Sequence, residues 1–157
     1  MGTTRRGGQV EVTRLGVDDG PAVLGEVLGN TSAFWGDRDT RQLHHPVWWR
    51  QFADDAFVAH DGDEVVGYLL GVTRAPIGYV HLIATRHDRR GLGVGRRLYA
   101  AFTGHARERG AVELQAITTT ANTGSIRFHE RLGFTARVVD DYAGPGEPRV
   151  LFSLPLQ

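Results

Sequence analysis

The chain has 157 residues, in which 18 lysines and arginines balance 18 aspartates and glutamates. This length fits one domain with a single hydrophobic core, and the balanced charge argues against a dedicated nucleic-acid-binding protein. Because the chain contains no cysteine, disulfides, thiolate zinc sites and a thiol nucleophile are excluded. No apolar run approaches the length of about 18 residues that crosses a bilayer, and the first residues lack the apolar stretch of a signal peptide. We therefore expect a cytoplasmic protein without a membrane partner.

The first half of the sequence predicts a strand, two helices and a hairpin. Residues 9–15 alternate apolar and polar side chains as a strand does, and residues 17–53 are typical of two short helices with an interrupted middle. The strand-like runs "AFVAH" and "EVVGYLLGVTR" then flank Asp61-Gly62-Asp63, which is a hairpin turn signal.

The second half predicts strands and helices in alternation. Its predicted elements are a strand at 77–85, a helix from the glycine-rich stretch to about Arg109, a strand at 111–118, a helix at 123–132 capped by Asn122, and strands near 134–140 and 149–154. Because strands and helices alternate only in this half, we expect a mixed α/β fold with a partly antiparallel sheet.

The stretch "RRGLGVGRR", residues 89–97, lies between a predicted strand and a predicted helix. The first N–H groups of a helix have no partner inside it, and arginines are unfavourable there because of the helix dipole. A bound phosphate would use those N–H groups and reverse the repulsion, whereas the alternative is a flexible turn with solvated arginines. A Walker loop is excluded because no Gly-Lys-Ser/Thr follows, and a dinucleotide fingerprint fails because Arg96 replaces its third glycine.

Two segments resemble one known family. Arg90-x-x-Gly93-x-Gly95 enters a predicted helix, and "NTGSIRFHERLGF", residues 122–134, forms a later helix that ends in Leu-Gly-Phe. Over roughly residues 77–135 the sequence resembles the GNAT superfamily of acyl-CoA-dependent N-acetyltransferases.

This resemblance implies a single domain over residues 1–157 with a GNAT-like α/β fold of the α+β type. The expected architecture is a mixed, mostly antiparallel central sheet of about seven strands flanked by about four helices. The resemblance also implies acetyl-CoA as co-substrate, no metal, and a primary amine of a small molecule, peptide or protein as acceptor. It leaves a homodimer open.

The resemblance also assigns residues to the co-substrate. Backbone groups of Ile83, Ala84 and Thr85 are implied to pair with the pantetheine arm and to polarise the acetyl carbonyl. Asn122 and Ser125 are implied to lie near the pantetheine. The loop implied to bind the pyrophosphate, chiefly through backbone amides, consists of Arg90, Gly91, Leu92, Gly93, Val94, Gly95 and Arg96.

Two histidines are candidate catalytic residues by the same resemblance. His81 stands where several members carry a glutamate that takes the amine proton, and a pKa near 6.5 suits that role. The alternative is a strand histidine bonded to a backbone carbonyl. His129 stands where many members carry a tyrosine that protonates the leaving thiolate, and a packed histidine is the alternative. Members similar to phosphinothricin acetyltransferases, which act on small amino-acid analogues, share its Ser-Ile-x-x-His-Glu pattern.

The acceptor site is implied to lie against the two-helix segment, which is rich in aromatic side chains. These are Phe34, Trp35, His44, His45, Trp48 and Trp49, and core packing is the alternative role for most of them. Without a cysteine, we expect direct transfer in a ternary complex, with the strand N–H near Ile83 stabilising the oxyanion. The other interpretation of the whole chain is a non-catalytic acyl-CoA-binding sensor or interaction module with the same fold.

Overall fold

The computed structural model describes residues 9–157, and its strands form one mixed sheet of seven strands. The strands are β1 Glu11–Arg14, β2 Phe57–Asp61, β3 Glu64–Arg74, β4 Ile77–Thr85, β5 Glu113–Thr118, β6 Thr135–Val139 and β7 Arg149–Pro155. Their order in the sheet is β1-β2-β3-β4-β5-β7-β6. The expected fold class is confirmed.

The helices also follow the predicted order. They are α1 Gly20–Gly29, α2 Thr31–Trp35, α3 Val94–Glu108 and α4 Thr123–Arg131. The interruption predicted in the middle of residues 17–53 lies elsewhere, because α1 and α2 are separated only by Asn30. The irregular part follows α2 and contains three short 3-10 turns, Arg41–His44, Pro46–Trp48 and Ala53–Asp55. A fourth such turn, His87–Arg89, follows β4.

The sheet combines antiparallel ladders with a parallel one. The pairs β1–β2, β2–β3, β5–β7 and β6–β7 are antiparallel. The parallel β4–β5 ladder runs from Ile77 opposite Glu113 to Val80 opposite Ala116. Parallel neighbours need a long crossover connection, and the segment that contains α3 supplies it.

Within the described residues the chain packs as two compact units, of which the first comprises residues 9–70 and 82–102. Its core contains large apolar side chains from α1, α2, β3 and the segment between α2 and β2. Val27, Phe34, Trp49 and Tyr68 are at most 2% exposed, and burial of such side chains is the main stabilising contribution to a core. The predicted single domain over 1–157 includes residues 1–8, which lie outside the described residues.

The second unit comprises residues 71–81 and 103–157. In it β7 pairs with β5 on one side and with β6 on the other, and the buried side chains include Leu114 on β5 and Phe152 on β7. Asn122 caps α4 as predicted, because its side-chain oxygen accepts a hydrogen bond from the Ser125 N–H. Gly133 follows the helix with a φ of 98°, a left-handed conformation that favours glycine.

Gly20 provides a test of the packing at the start of α1. A Cβ added at Gly20 would lie 1.8 Å from the carbonyl oxygen of Trp49, which is backbone and cannot rotate away. We expect Gly20→Ala to lower the free energy of unfolding by about 2 kcal/mol or more, measured by urea denaturation. Gly25→Ala is the matched control, because the same added carbon meets no atom within 4 Å and alanine favours a helix by about 1 kcal/mol. Equal stability of the two variants would contradict this packing.

Candidate active site

The glycine-rich loop forms an exposed bend between the 3-10 turn His87–Arg89 and α3. Gly91 and Gly93 have φ values of 77° and 79°, which residues with a Cβ adopt only at a cost. An added Cβ would meet no atom within 4 Å at either position. The two glycines therefore give the loop its path and leave open space on its outer side.

The backbone amides of this loop have no partner among residues 9–157. The first backbone bond of α3 joins the Arg97 N–H to the Gly93 carbonyl at 3.0 Å, whereas no N–H from Gly91 to Arg96 donates to a described residue. Unpaired N–H groups at a helix N-terminus carry partial positive charge. The loop thus fits a pyrophosphate group, which would accept several of these bonds.

The arginines around the loop differ in their partners. Arg86 and Arg89 are in ion pairs with carboxylates, and the Arg97 guanidinium donates to the Val10 carbonyl. Arg90 and Arg96 are exposed and have no carboxylate partner among the described residues. Among the described residues, Arg90 and Arg96 therefore carry charges next to the loop that no carboxylate neutralises.

Gly67 on β3 sets how close α3 approaches the sheet. A Cβ added there would lie 2.9 Å from Val94 Cγ1 and 3.2 Å from Leu98 Cδ1. It would also lie 3.1 Å from the carbonyl oxygen of Ala84 on β4. Sequence reasoning missed this residue, although a glycine inside a strand pattern is a recognised signal of close approach.

The β4 residues implied to contact the acyl group alternate between two faces of the strand. Leu82 and Ala84 are buried, whereas His81, Ile83 and Thr85 are only partly buried. The parallel ladder with β5 covers β4 from Ile77 to Val80. The backbone of residues 83–85 therefore lies beyond that ladder.

Asn122 and Ser125 are engaged in capping α4. The side-chain oxygen Oδ1 of Asn122 accepts from the Ser125 N–H at 3.2 Å, and its side-chain nitrogen Nδ2 donates to the Thr118 hydroxyl at 3.1 Å. The side-chain amide of Asn122 is thus held in one orientation by both of its ends.

His129 is packed in the second unit and is 3% exposed. Its ring stacks on Phe152 with centroids 4.1 Å apart and meets Phe134 edge to face. The Nδ1–H donates to the Ser125 carbonyl at 2.8 Å, so in the neutral ring Nε2 carries no proton. Burial lowers the pKa of His129, which favours this neutral form at pH 7.

The aromatic side chains implied to line the acceptor site divide between core and surface. Phe34, His44 and Trp49 are at most 2% exposed, whereas Trp35 and Trp48 are partly buried and His45 is exposed. Core packing accounts for the buried three.

A hydrogen-bonded chain that sequence reasoning missed runs through this aromatic group. Trp35 Nε1–H donates to the Tyr68 hydroxyl at 2.8 Å, and the Tyr68 O–H donates to His44 Nε2 at 2.6 Å. His44 Nδ1–H in turn donates to the Thr40 carbonyl at 2.7 Å. Burial lowers the pKa of His44 and raises that of Tyr68. Both groups are therefore held neutral, as a buried hydrogen-bonded chain requires.

Among residues 9–157 no group of His, Asp or Glu side chains is placed to hold a metal ion. Nor does any helix in this range have the length and apolar character needed to cross a bilayer.

Comparison with known proteins assigns the fold to a family. The model of the acetyltransferase (GNAT) family matches residues 24–134. The chain belongs to this family. An L-methionine sulfoximine/L-methionine sulfone acetyltransferase of Pseudomonas aeruginosa is 33% identical to this acetyltransferase in an alignment of 131 residues that covers 76% of each chain.

Two further proteins are similar to this acetyltransferase. A mycothiol acetyltransferase of Thermobispora bispora is 40% identical in an alignment of 115 residues that covers 68% of this chain and 38% of that protein. An acetyltransferase of Salmonella typhimurium, solved with its cofactor acetyl-CoA, has the same fold, with a TM-score of 0.65 at 22% identity and 94% of both chains covered. Family and relatives identify an enzyme that transfers the acetyl group of acetyl-CoA to nitrogen, and they do not favour a non-catalytic module.

The packing of His129 gives a pH prediction. Because its folded pKa is lowered, the unfolded chain, with a histidine pKa near 6.5, takes up the proton first as the pH falls. The contribution of the neutral ring to the free energy of unfolding is therefore fully present above about pH 6.5. It decreases below that pH, by at most about 1.4 kcal/mol per pH unit for each such histidine. His44 contributes in the same direction.

We expect His129→Phe to show a smaller loss of unfolding free energy between pH 7.5 and pH 5 than the unsubstituted protein. The reason is that His44 then remains as the source of this effect without His129. Urea denaturation across this pH range measures it. Parallel pH profiles for the two proteins would contradict the burial of a neutral ring at this position.

Proposed function

We propose that this enzyme acetylates the primary amine of a small polar molecule, with amino-acid analogues as the first class of acceptor. The match to the L-methionine sulfoximine/L-methionine sulfone acetyltransferase over 76% of both chains supports this class. The observation that carries the co-substrate site is the run of N–H groups from Gly91 to Arg96 at the start of α3, for which the described residues supply no acceptor.

In this proposal the loop from Arg90 to Arg96 holds the pyrophosphate of acetyl-CoA. Its backbone N–H groups supply directional bonds, and the guanidinium groups of Arg90 and Arg96 supply charge. Bound there, acetyl-CoA supplies an acetyl group activated as a thioester. Backbone groups of Ile83, Ala84 and Thr85 orient the pantetheine arm and polarise the carbonyl that is attacked. Asn122 and Ser125 flank the same arm.

His81 is the proposed acceptor of the amine proton. An amine attacks only in its neutral form, and the unperturbed pKa of a lysine-type amine is about 10.4. The partly buried imidazole on β4 takes up that proton directly or through water at neutral pH. Transfer then proceeds directly from the thioester to nitrogen, since the chain has no cysteine that could carry the acetyl group.

For His129, the contacts support packing over proton donation. Its Nδ1–H is committed to the Ser125 carbonyl, and its lowered pKa makes a donating imidazolium scarce at pH 7. Water is then the proposed proton source for the departing thiolate.

The remaining proposals concern the setting of the enzyme. We propose that the whole chain acts as one acetyltransferase domain, which the family match over residues 24–134 supports. The cytoplasm is the proposed compartment because acetyl-CoA is the co-substrate. The homodimer that the resemblance left open stays a prediction.

A thiol-release assay tests the acceptor class. With acetyl-CoA present, we expect methionine sulfone and related amino-acid analogues to give turnover above that of lysine-containing peptides. Peptides accepted in preference to every small amine would overturn the acceptor class.

The same assay tests His81 as the base. His81→Ala should lower turnover by about a hundredfold while calorimetry finds its coenzyme A affinity unchanged. Full turnover of His81→Ala from pH 6 to pH 9 would overturn the role of His81 as the base.

A matched pair of glycine variants tests where coenzyme A binds. Gly93→Val forces a β-branched residue into a φ of 79° and fills the space outside the loop, whereas Gly146→Val imposes the same change at a φ of 72° in the β6–β7 connection. We expect calorimetry to show coenzyme A binding at least about tenfold weaker for Gly93→Val and unchanged for Gly146→Val. Equal affinity in the two folded variants would refute the site.

A further inference from the structure

A network of five charged side chains holds the turn that precedes the glycine-rich loop. We call it the ionic clamp, and its members are Asp61, Glu64, Arg86, Asp88 and Arg89. It joins the β2–β3 hairpin to the turn after β4, and all of its residues belong to the first compact unit.

The first set of ion pairs lies within the turn itself. Arg86 makes a bidentate pair with Asp88, with Nε to Oδ1 at 2.8 Å and Nη2 to Oδ2 at 2.7 Å. Arg89 Nη1 also lies 3.3 Å from Asp88 Oδ2, so one carboxylate bridges two arginines. Hydrogen bonding to Arg86 lowers the pKa of Asp88 to about 2. The bridge is therefore ionised throughout the physiological pH range.

The turn is then tied to the hairpin through Arg89 and Asp61. Arg89 Nη2 lies 2.8 Å from Asp61 Oδ2, with the two side chains only 25% and 18% exposed. The second link, from Arg86 to Glu64, is longer at 3.5 Å and its carboxylate is 62% exposed. Shielded pairs with short distances are stronger than exposed ones, so the Asp61 link is the main one.

The ionic clamp is close in sequence to the loop amides that have no described partner. Arg89 is two residues before Gly91, the first residue of the run of unpaired N–H groups. On the other side of the loop, Val94 and Leu98 pack at Gly67. The loop is thus fixed at one end by apolar packing and at the other by the Arg89–Asp61 pair.

We propose that Asp61, acting through Arg89, is a positioning residue for coenzyme A. It holds the turn so that the N–H groups of the following loop converge on the pyrophosphate. This inference rests on the proposed placement of coenzyme A at residues 90–96. In it Arg89 is a structural cation and the phosphate is left to Arg90 and Arg96.

Simple electrostatics makes the opposite prediction, which allows a test by sign. Coenzyme A is a polyanion, so removal of a nearby carboxylate should strengthen its binding, the more so if Arg89 is released to contact phosphate. If Asp61 positions the loop, its loss should weaken binding instead. Asp63 is the matched control, because it is exposed on the same hairpin and makes no ion pair with another described residue.

The experiment is calorimetric titration of coenzyme A into Asp61→Asn and Asp63→Asn. We expect Asp61→Asn to bind about fivefold more weakly and Asp63→Asn to bind as well as the unsubstituted protein or better. Steady-state kinetics of Asp61→Asn should show a raised KM for acetyl-CoA with kcat and the acceptor KM unchanged, a separation that general destabilisation would not give. Equal or tighter binding by Asp61→Asn would overturn the proposal.

Further variants keep the proposal falsifiable. Asp61→Ser removes the same carboxylate and repeats the test by sign if Asp61→Asn fails to fold. Arg89→Gln breaks the ion pair from the other side and should also weaken binding, whereas Arg89→Lys should restore part of the affinity. Gly93→Val in the same titration separates the two levels of the proposal. Retained affinity there would mean that coenzyme A binds elsewhere, while lost affinity there with normal binding by Asp61→Asn would reject the clamp alone.

Discussion

The close approach of α3 to the sheet at Gly67 is the constraint on which the candidate site depends. Because Gly67 has no side chain, Val94 and Leu98 pack where a Cβ would come within 3.2 Å of both. This contact buries Val94 and Leu98 while the preceding loop stays exposed. The helix start is therefore held against the sheet by packing, and its first N–H groups have no protein partner among the described residues.

The placement of these groups matters because a polyanion gains most from groups that need not rearrange on binding. Each N–H that is already unpaired and in position avoids the cost of breaking a bond or ordering a loop on binding. The positive φ angles of Gly91 and Gly93 and the ion pair between Arg89 and Asp61 also place the loop before the ligand binds. Backbone geometry, packing and charge thus favour the same conformation of this loop.

Features that depend on local sequence were predictable. The strand at Ile77–Thr85 and the Asn122 cap of α4 were found at the predicted positions, because alternation and capping act over a few residues. The ion pair between Asp61 and Arg89 and the chain from Trp35 through Tyr68 join residues 28 and 33 positions apart. No local pattern specifies such contacts. The stacking of His129 on Phe152 likewise joins residues that are distant in the sequence.

Amide hydrogen exchange followed by NMR is the most direct test of the central claim, which is that the unpaired amides of the glycine-rich loop bind the pyrophosphate. In the free protein the amides of residues 91–96 should exchange rapidly, since no described residue accepts their hydrogen bonds. At saturating coenzyme A we expect several of them to become protected and to shift. Unchanged exchange at residues 91–96, with protection appearing elsewhere on binding, would contradict the account.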